Sequence, residues 1–288
     1  MGDSFKTDAL VIGAGPAGLG VALGLAHEGI EAVVLDRQDR LGMIRRGETI
    51  RFDKEMEALL GFGFFEKQSI KKIHKRIYFS HTGARHVSRS ISNPNIIISW
   101  PDFIAAMAEK VRSTGAKIWS ASTVNSFVVQ DRKVIGVKAL VNGHVEEELL
   151  ARATFSCGGH EDPASRTLAI DRTGIDQPIV KHLVRGYKGP SDRLEYHFHI
   201  ANGSLAVAAI FPRQEGEAEI LMMNISQNGK SPRISFTDFC TEHPLFSERI
   251  KGSNTFYSLN SIVPMGGMLF PFSPRPGLVM SGDALGHV

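Results

Sequence analysis

Cysteine is nearly missing from this sequence: Cys157 and Cys240 are the only two among 288 residues. Two thiols cannot build a disulfide framework, so a reducing, cytoplasmic setting is expected. Tryptophan is as scarce, with Trp100 and Trp119 alone. An excess of charge is lacking too. Lys and Arg number 33 against 30 Asp and Glu, a net +3 that is too small to mark nucleic acid as the partner. A plain membrane-spanning run is absent as well. Ala9 to Ala26 carries no charge, but Gly13, Gly15, Gly18, Gly20, Gly24 and Pro16 interrupt it. Only Lys6 precedes it as a basic residue, which suits neither a span nor a signal peptide. Glycine, by contrast, is abundant at 29 residues, while 42% hydrophobic and 22% charged residues describe an ordinary globular chain. On a prior of roughly 150 residues per domain, two domains are expected.

The glycines have an order. Asp8-Ala9-Leu10-Val11-Ile12 reads as a buried strand, Gly15 to about Glu28 as a helix closed by Gly29, and Glu31 to Leu35 as a second strand ending at Asp36. Gly13-x-Gly15-x-x-Gly18 therefore stands at the first turn of a β-α-β unit, the context that makes this motif specific. Gly13 permits the turn, Gly15 lets a pyrophosphate approach the backbone, and Gly18 lets helix and strand pack closely. Pro16 and Ala17 begin a helix whose free N–H groups and positive dipole end face the phosphates. Asp36 lies 18 residues after Gly18 (36 − 18), placed to accept from ribose hydroxyls. A 2′-phosphate beside that carboxylate would be repelled, so FAD or NAD fits better than NADP.

The end of the chain favours FAD. Gly277-Leu-Val-Met-Ser-Gly282-Asp283-Ala284 reads as a buried strand entering a Gly-Asp turn. It resembles the second FAD motif of the flavoprotein superfamily that includes aromatic hydroxylases and geranylgeranyl reductases. The resemblance implies that Asp283 contacts the ribityl chain. The middle agrees in order: a helix from Trp100-Pro101-Asp102-Phe103 through Arg112, then Gly115-Ala116-Lys117-Ile118, then a meander over Phe127–Val129, Val134–Ala139 and Gly143–Val145. Arg46-Gly47-Glu48-Thr49-Ile50 resembles a loop of the reductases and of flavin halogenases, while Phe211-Pro212, with Ala209 at the usual tryptophan position, and Ile262-Val263-Pro264-Met265-Gly266-Gly267 resemble elements of the reductases. The halogenases' Trp-x-Trp-x-Ile-Pro element is absent. So is the Asp-Gly-x-x-Ser carried by the aromatic hydroxylases and many of the reductases, replaced by Cys157-Gly158-Gly159-His160. An arginine common at the Trp100 position is missing, and the sequence stops at Val288 where relatives continue into a flavin-facing helix. A C-terminally shortened chain is therefore expected.

The resemblance implies an α/β fold with a Rossmann-like FAD-binding domain interleaved with an antiparallel-sheet substrate domain. The first would take residues 1–75, 100–165 and 265–288, and the second 76–99 and 166–264. FAD would be held by Gly13, Gly15, Pro16, Ala17, Gly18, Asp36, Arg37, Arg46, Gly47, Gly158, Gly282 and Asp283. NAD(P)H or another reductant would supply electrons, with an electron-donor protein among the candidate partners. The expected substrate is a small molecule, lipid-like if the reductase reading holds. Neither nucleic acid nor more than peripheral membrane contact is expected. The leading activity is hydride transfer from reduced FAD to an alkene or isoprenoid. Aromatic hydroxylation and a non-catalytic FAD-binding fragment are the alternatives.

Other residues carry two readings each. Arg45, Arg46 and Arg51 are either a pyrophosphate clamp, with Arg46 favoured, or a solvated loop. Glu48 either bonds ribose or steadies that arginine, or is a surface carboxylate. Lys67 to Arg89 holds Lys67, Lys71, Lys72, Lys75, Arg76, Arg85 and Arg89 without an acid, and reads first as a solvated hairpin of the second domain, second as an anion-attracting surface. His197 and His199 share one strand face and read as packed or surface histidines before a substrate-facing pair. Neither they nor any other group suggests a metal site. Cys157 reads as buried packing before a redox group.

Overall fold

The computed structural model describes residues 5–170, 175–201, 204–225, 234–265, 267 and 269–286. Gly266, part of a motif read above, and the terminal His287 and Val288 lie outside them. The first strand, β1 (Phe5–Ile12), is apolar and buried over its second half. It turns at Gly13 into helix α1 (Pro16–His27) and returns as β2 (Ala32–Leu35), parallel to β1. β1 begins earlier than its apolar residues suggest because Phe5, Lys6 and Thr7 are paired to Leu149, Leu150 and Ala151.

The chain then builds β3 (Thr49–Arg51), α2 (Lys54–Leu60), α3 (Phe64–Gln68), β4 (Ser69–Ile73), β5 (Lys75–Phe79), β6 (Arg85–Arg89) and β7 (Asn95–Ile98). Helix α4 (Trp100–Ser113) follows, burying Phe103, Ile104, Met107 and Val111 at helical spacing against α1. Next come β8 (Lys117–Trp119), β9 (Thr123–Gln130), β10 (Lys133–Val141), β11 (Val145–Ser156) and α5 (Pro163–Thr167). The remainder comprises β12 (Ile175–Arg185), β13 (Arg193–Ala201), β14 (Ser204–Pro212), β15 (Glu217–Ile225), α6 (Phe236–Glu242), α7 (Pro244–Ile250), β16 (Asn254–Met265) and β17 (Leu278–Met280).

Three sheets result. The first runs β8-β2-β1-β11-β10-β9, with β17 also on β11. β11 is long enough to serve twice. Its first half closes the meander against β10, and its second half lies parallel to both β1 and β17. The second sheet runs β16-β12-β15-β14-β13-β5-β6, antiparallel except where β5 meets β13. One of its faces is covered by α6 and α7, whose Phe239 and Phe246 pack over Ala206, Ala208, Ile210 and Met222. The other face meets the third sheet, where Leu194, Ala209 and Phe211 pack on Ile73 and Ile97.

The third sheet, β3-β7-β4, joins the two units. The stretch 76–99, read as one piece of the substrate domain, divides here: β5 and β6 enter the second sheet, whereas β7 pairs with β3 and β4. The reason is burial. Ile96 and Ile98 point into the core around α1 and α4, and Ile97 points into the core beneath the second sheet. A strand apolar on both faces needs both covers.

Candidate dinucleotide site

β1, β11 and β17 run parallel, so their C-terminal ends lie side by side and three turns leave the same edge. These are Gly13–Gly18, Gly158–Glu161 and Gly282–Leu285. Backbone bonds stitch them together: Cys157 N–H donates to Ile12 O at 2.9 Å, and Ser281 N–H to Ser156 O at 3.1 Å. Close approach dictates two of the glycines. A Cβ on Gly18 would stand 1.9 Å from Gly13 O, and one on Gly282 would stand 2.8 Å from the Ala17 methyl. The first and last motifs of the sequence thus touch.

Gly15 is different. Nothing lies within 4 Å of where its Cβ would be, so the space over the α1 N-terminus is open. The N–H groups of Ala17 and Gly18, in the first helical turn, have no acceptor within the helix. An open glycine beside unpaired donors and a positive dipole end is a cradle that fits a pyrophosphate. Asp36, at the end of β2, is 7% exposed. One of its oxygens accepts from Ala14 N–H at 2.6 Å and the other from Gln38 N–H at 2.8 Å. The carboxylate therefore braces the glycine turn, and each oxygen retains a lone pair for a ribose hydroxyl.

Charged groups alternate along the other side. Arg37 pairs with Glu161 and holds that carboxyl below its usual range. Arg46 is partly buried, which lowers its pKa; Glu161 opposes the shift, Arg37 adds to it, and Asp283 opposes it. His160 is pushed down by burial and then by Arg46. Arg37, Arg46, His160, Glu161 and Asp283 therefore share one electrostatic neighbourhood, spanning the loop after β2, the turn after β11 and the turn after β17. Gly158 is set by Asp162, whose carboxylate accepts from Gly158 N–H at 2.7 Å, Ser156 Oγ at 2.7 Å and Ala164 N–H at 2.8 Å. Gly47 faces the Trp100 indole, 3.6 Å from where its Cβ would be.

Sequence reading missed what holds the loop after β2. Glu48, expected on ribose or a loop arginine, is buried; it accepts from Trp100 N–H at 3.1 Å and forms an ion pair with Arg213. Arg45 stands farther off, its Nε 3.7 Å from Glu48. Arg213 also donates to Ile98 O at 3.1 Å. The partner of Glu48 directly follows β14, far along the chain, and only its charge beside Pro212 hinted at a role. Lys181 of β12, in an otherwise apolar stretch, pairs with Glu219 of β15 at 2.8 Å.

Other candidates fall outside this neighbourhood. His197 and His199 are both buried, but on the sheet face covered by α6 and α7, because His197 is opposite Ala208 whereas its neighbour Tyr196 is opposite Ala209. Burial pushes the Cys157 thiol up to about 12, with Asp162 adding to the shift, which leaves it a packing group. Within the basic stretch, Lys72 pairs with Glu66, Lys75 with Asp192 and Arg76 bonds Asn95. No cluster suited to a metal occurs among the described residues. No helix among them is long and apolar enough to cross a membrane.

Comparison with known proteins bears on the family and the fold. Residues 6–238 match the family model described as FAD binding domain. The chain is 25% identical to a digeranylgeranylglycerophospholipid reductase of Methanosarcina acetivorans, over 96% of this chain and 68% of that protein. Its fold is similar to a geranylgeranyl bacteriochlorophyll reductase-like protein of Thermoplasma acidophilum, with a TM-score of 0.83 at 18% identity, covering 98% of this chain and 72% of the other. A p-nitrophenol 4-monooxygenase of Pseudomonas putida gives a TM-score of 0.76 at 15% identity, covering 98% and 73%.

Proposed function

The chain belongs to the FAD binding domain family, and from that premise we propose that it is an FAD-dependent reductase of the geranylgeranyl reductase type, acting on an isoprenoid or other alkene. The observation that carries the cofactor assignment is the meeting of two distant motifs, Gly282 against Ala17, beside the open face of Gly15. The likeness to a reductase, over 96% of this chain and 68% of that protein, supports the reaction.

Each residue has a job in this reading. Gly13, Gly15, Pro16, Ala17 and Gly18 hold the pyrophosphate at the α1 N-terminus. Asp36 accepts from the adenosine ribose while keeping Ala14 N–H in place. Arg46, with Arg37 behind it, balances phosphate charge, and Gly47 leaves room beside Trp100. Gly158, Gly282 and Asp283 line the ribityl end. Bound FAD, once reduced, supplies hydride chemistry that no side chain can. The protein's share is to orient the substrate on the second sheet and keep water and oxygen away. The reductant is NAD(P)H or a protein donor.

The test begins with reconstitution. The purified chain should take up FAD and turn yellow; a chain that stays colourless is a non-catalytic fragment. With FAD chemically reduced under nitrogen, an isoprenoid lipid should gain two hydrogens per double bond, read by mass spectrometry. Oxygen appearing in an aromatic substrate in air, with no alkene saturated, would replace the reductase by a hydroxylase.

A further inference from the structure

Lys181 and Glu219 form an ion pair whose side chains are 3% and 2% exposed. They sit on adjacent strands, on the face of the second sheet turned toward the nucleotide-binding unit. Register shows this: Lys181 is opposite Leu221, which is opposite Ala209, and Ala209 packs on the third sheet. Burying two charges is expensive, and well-packed apolar side chains at such positions are often as stable or more so. Packing alone therefore does not account for the pair.

What the ammonium reaches does. Nζ carries three donors. One lies on Glu219 Oε1 at 2.8 Å and another on the carbonyl of Arg46 at 3.4 Å. The same loop is gripped again from β16. Arg45 N–H donates to the Tyr257 phenolic oxygen at 3.0 Å, the Arg45 guanidinium lies 5.8 Å from the centre of that ring, and Arg46 Nη1 donates to Ser261 Oγ. The backbone is thus pinned at Arg45 N and at Arg46 O, on either side of the Arg46 side chain. Glu161, Arg37 and Asp283 lie close enough to that side chain to bias its charge. Among the described residues Glu219 Oε2 has no hydrogen-bond partner, so the bond this carboxylate makes there is to Lys181. Burial pushes its pKa up and Lys181 pulls it down.

We propose that Lys181, held by Glu219, is a positioning residue for FAD: it fixes the Arg46 carbonyl and so aims the Arg46 guanidinium at the pyrophosphate. The second sheet then belongs to the cofactor site, although none of its strands carries a phosphate-binding turn. This rests on the FAD reading above and on Arg46 as a phosphate ligand.

Lys181→Met removes the ammonium and keeps the length. FAD titration followed by flavin fluorescence should show Kd raised about tenfold, the size expected for one lost charge-assisted contact. The same change should add nothing in an Arg46→Ala background, because Lys181 acts through Arg46. Lys181→Met strands Glu219 and endangers the fold, so the double variant Lys181→Met/Glu219→Leu serves as control. It should recover the wild-type Tm while FAD affinity stays low. Wild-type affinity in the double variant, or an effect that adds fully to Arg46→Ala, overturns the proposal. A wild-type chain that binds no FAD overturns this proposal together with the reading beneath it, and the wild-type titration separates that case from the others.

Discussion

Gly15 and Gly18 stand three residues apart in one turn, yet a methyl group on each meets opposite surroundings. On Gly18 it collides with Gly13 O; on Gly15 it meets nothing within 4 Å. Gly15 has φ −77 and ψ 179, extended backbone that any residue adopts. Gly15→Ala should therefore cost about 1 kcal/mol or less, as an N-cap change, while lowering FAD affinity at least about tenfold by filling the cradle. Gly18→Ala should cost about 1–3 kcal/mol through overpacking and weaken FAD as well. Thermal melts beside FAD titrations separate the two; equal stability losses would show the space over Gly15 to be closed. Both residues were legible in the sequence, since the motif's spacing names them. Asp36 was half legible. Its position at the strand end implied ribose, but its bonds to Ala14 and Gln38 depend on how the turn folds back.

At the scale of elements, α6 and α7 cover a histidine cluster that the sequence showed only as alternation in β13. His243, between the two helices, stacks on Phe239 with ring centres 5.4 Å apart and meets His197 edge-on at 4.9 Å. Burial, then His197 and His199, take it from the ordinary 6.5 to about 4. The unfolded chain thus binds a proton that the folded one refuses. Stability from this group is complete above pH 6.5 and declines as pH falls toward 4. Tm should fall over that window, and His243→Gln should flatten the fall; an unchanged slope in the variant would exclude His243 as the source. Glu195 is shifted in the same direction for a different reason, and its contribution to stability is lost only from about 4.5 down toward 2. Arg193 and Arg249 donate to its two oxygens at 2.8 and 3.0 Å, with His197 Nε2 3.5 Å away, and together hold it at about 2 despite burial, so in the folded chain it stays ionised throughout the window. The helices themselves were not placed from the sequence. Each is seven residues long, too short for periodicity to register.

Across the whole molecule, the Glu48–Arg213 pair spans 165 residues and ties the nucleotide-binding loop to the turn that follows β14. Both side chains are nearly fully buried. Arg213→Met would leave the Glu48 carboxylate short of a charged partner in the interior, and about 3–5 kcal/mol of stability should be lost. Glu48→Gln combined with Arg213→Met should return part of it, measured by denaturant unfolding; equal losses in the single and double variants would show that the cost is packing, not charge.

The β-α-β unit, its glycine turn, the meander and the final Gly-Asp turn were all determined by the sequence alone. Each depends on residues within a few tens of positions, where steric need for glycine and strand periodicity act locally. Tertiary structure decided the rest: that Gly282 rests on Ala17, that β7 bridges two cores, and that Lys181, Arg213, Tyr257 and Ser261 reach the loop holding Arg46. Those contacts arise only when separate sheets stack, and a lone charge in a strand carries no mark of the partner it will meet.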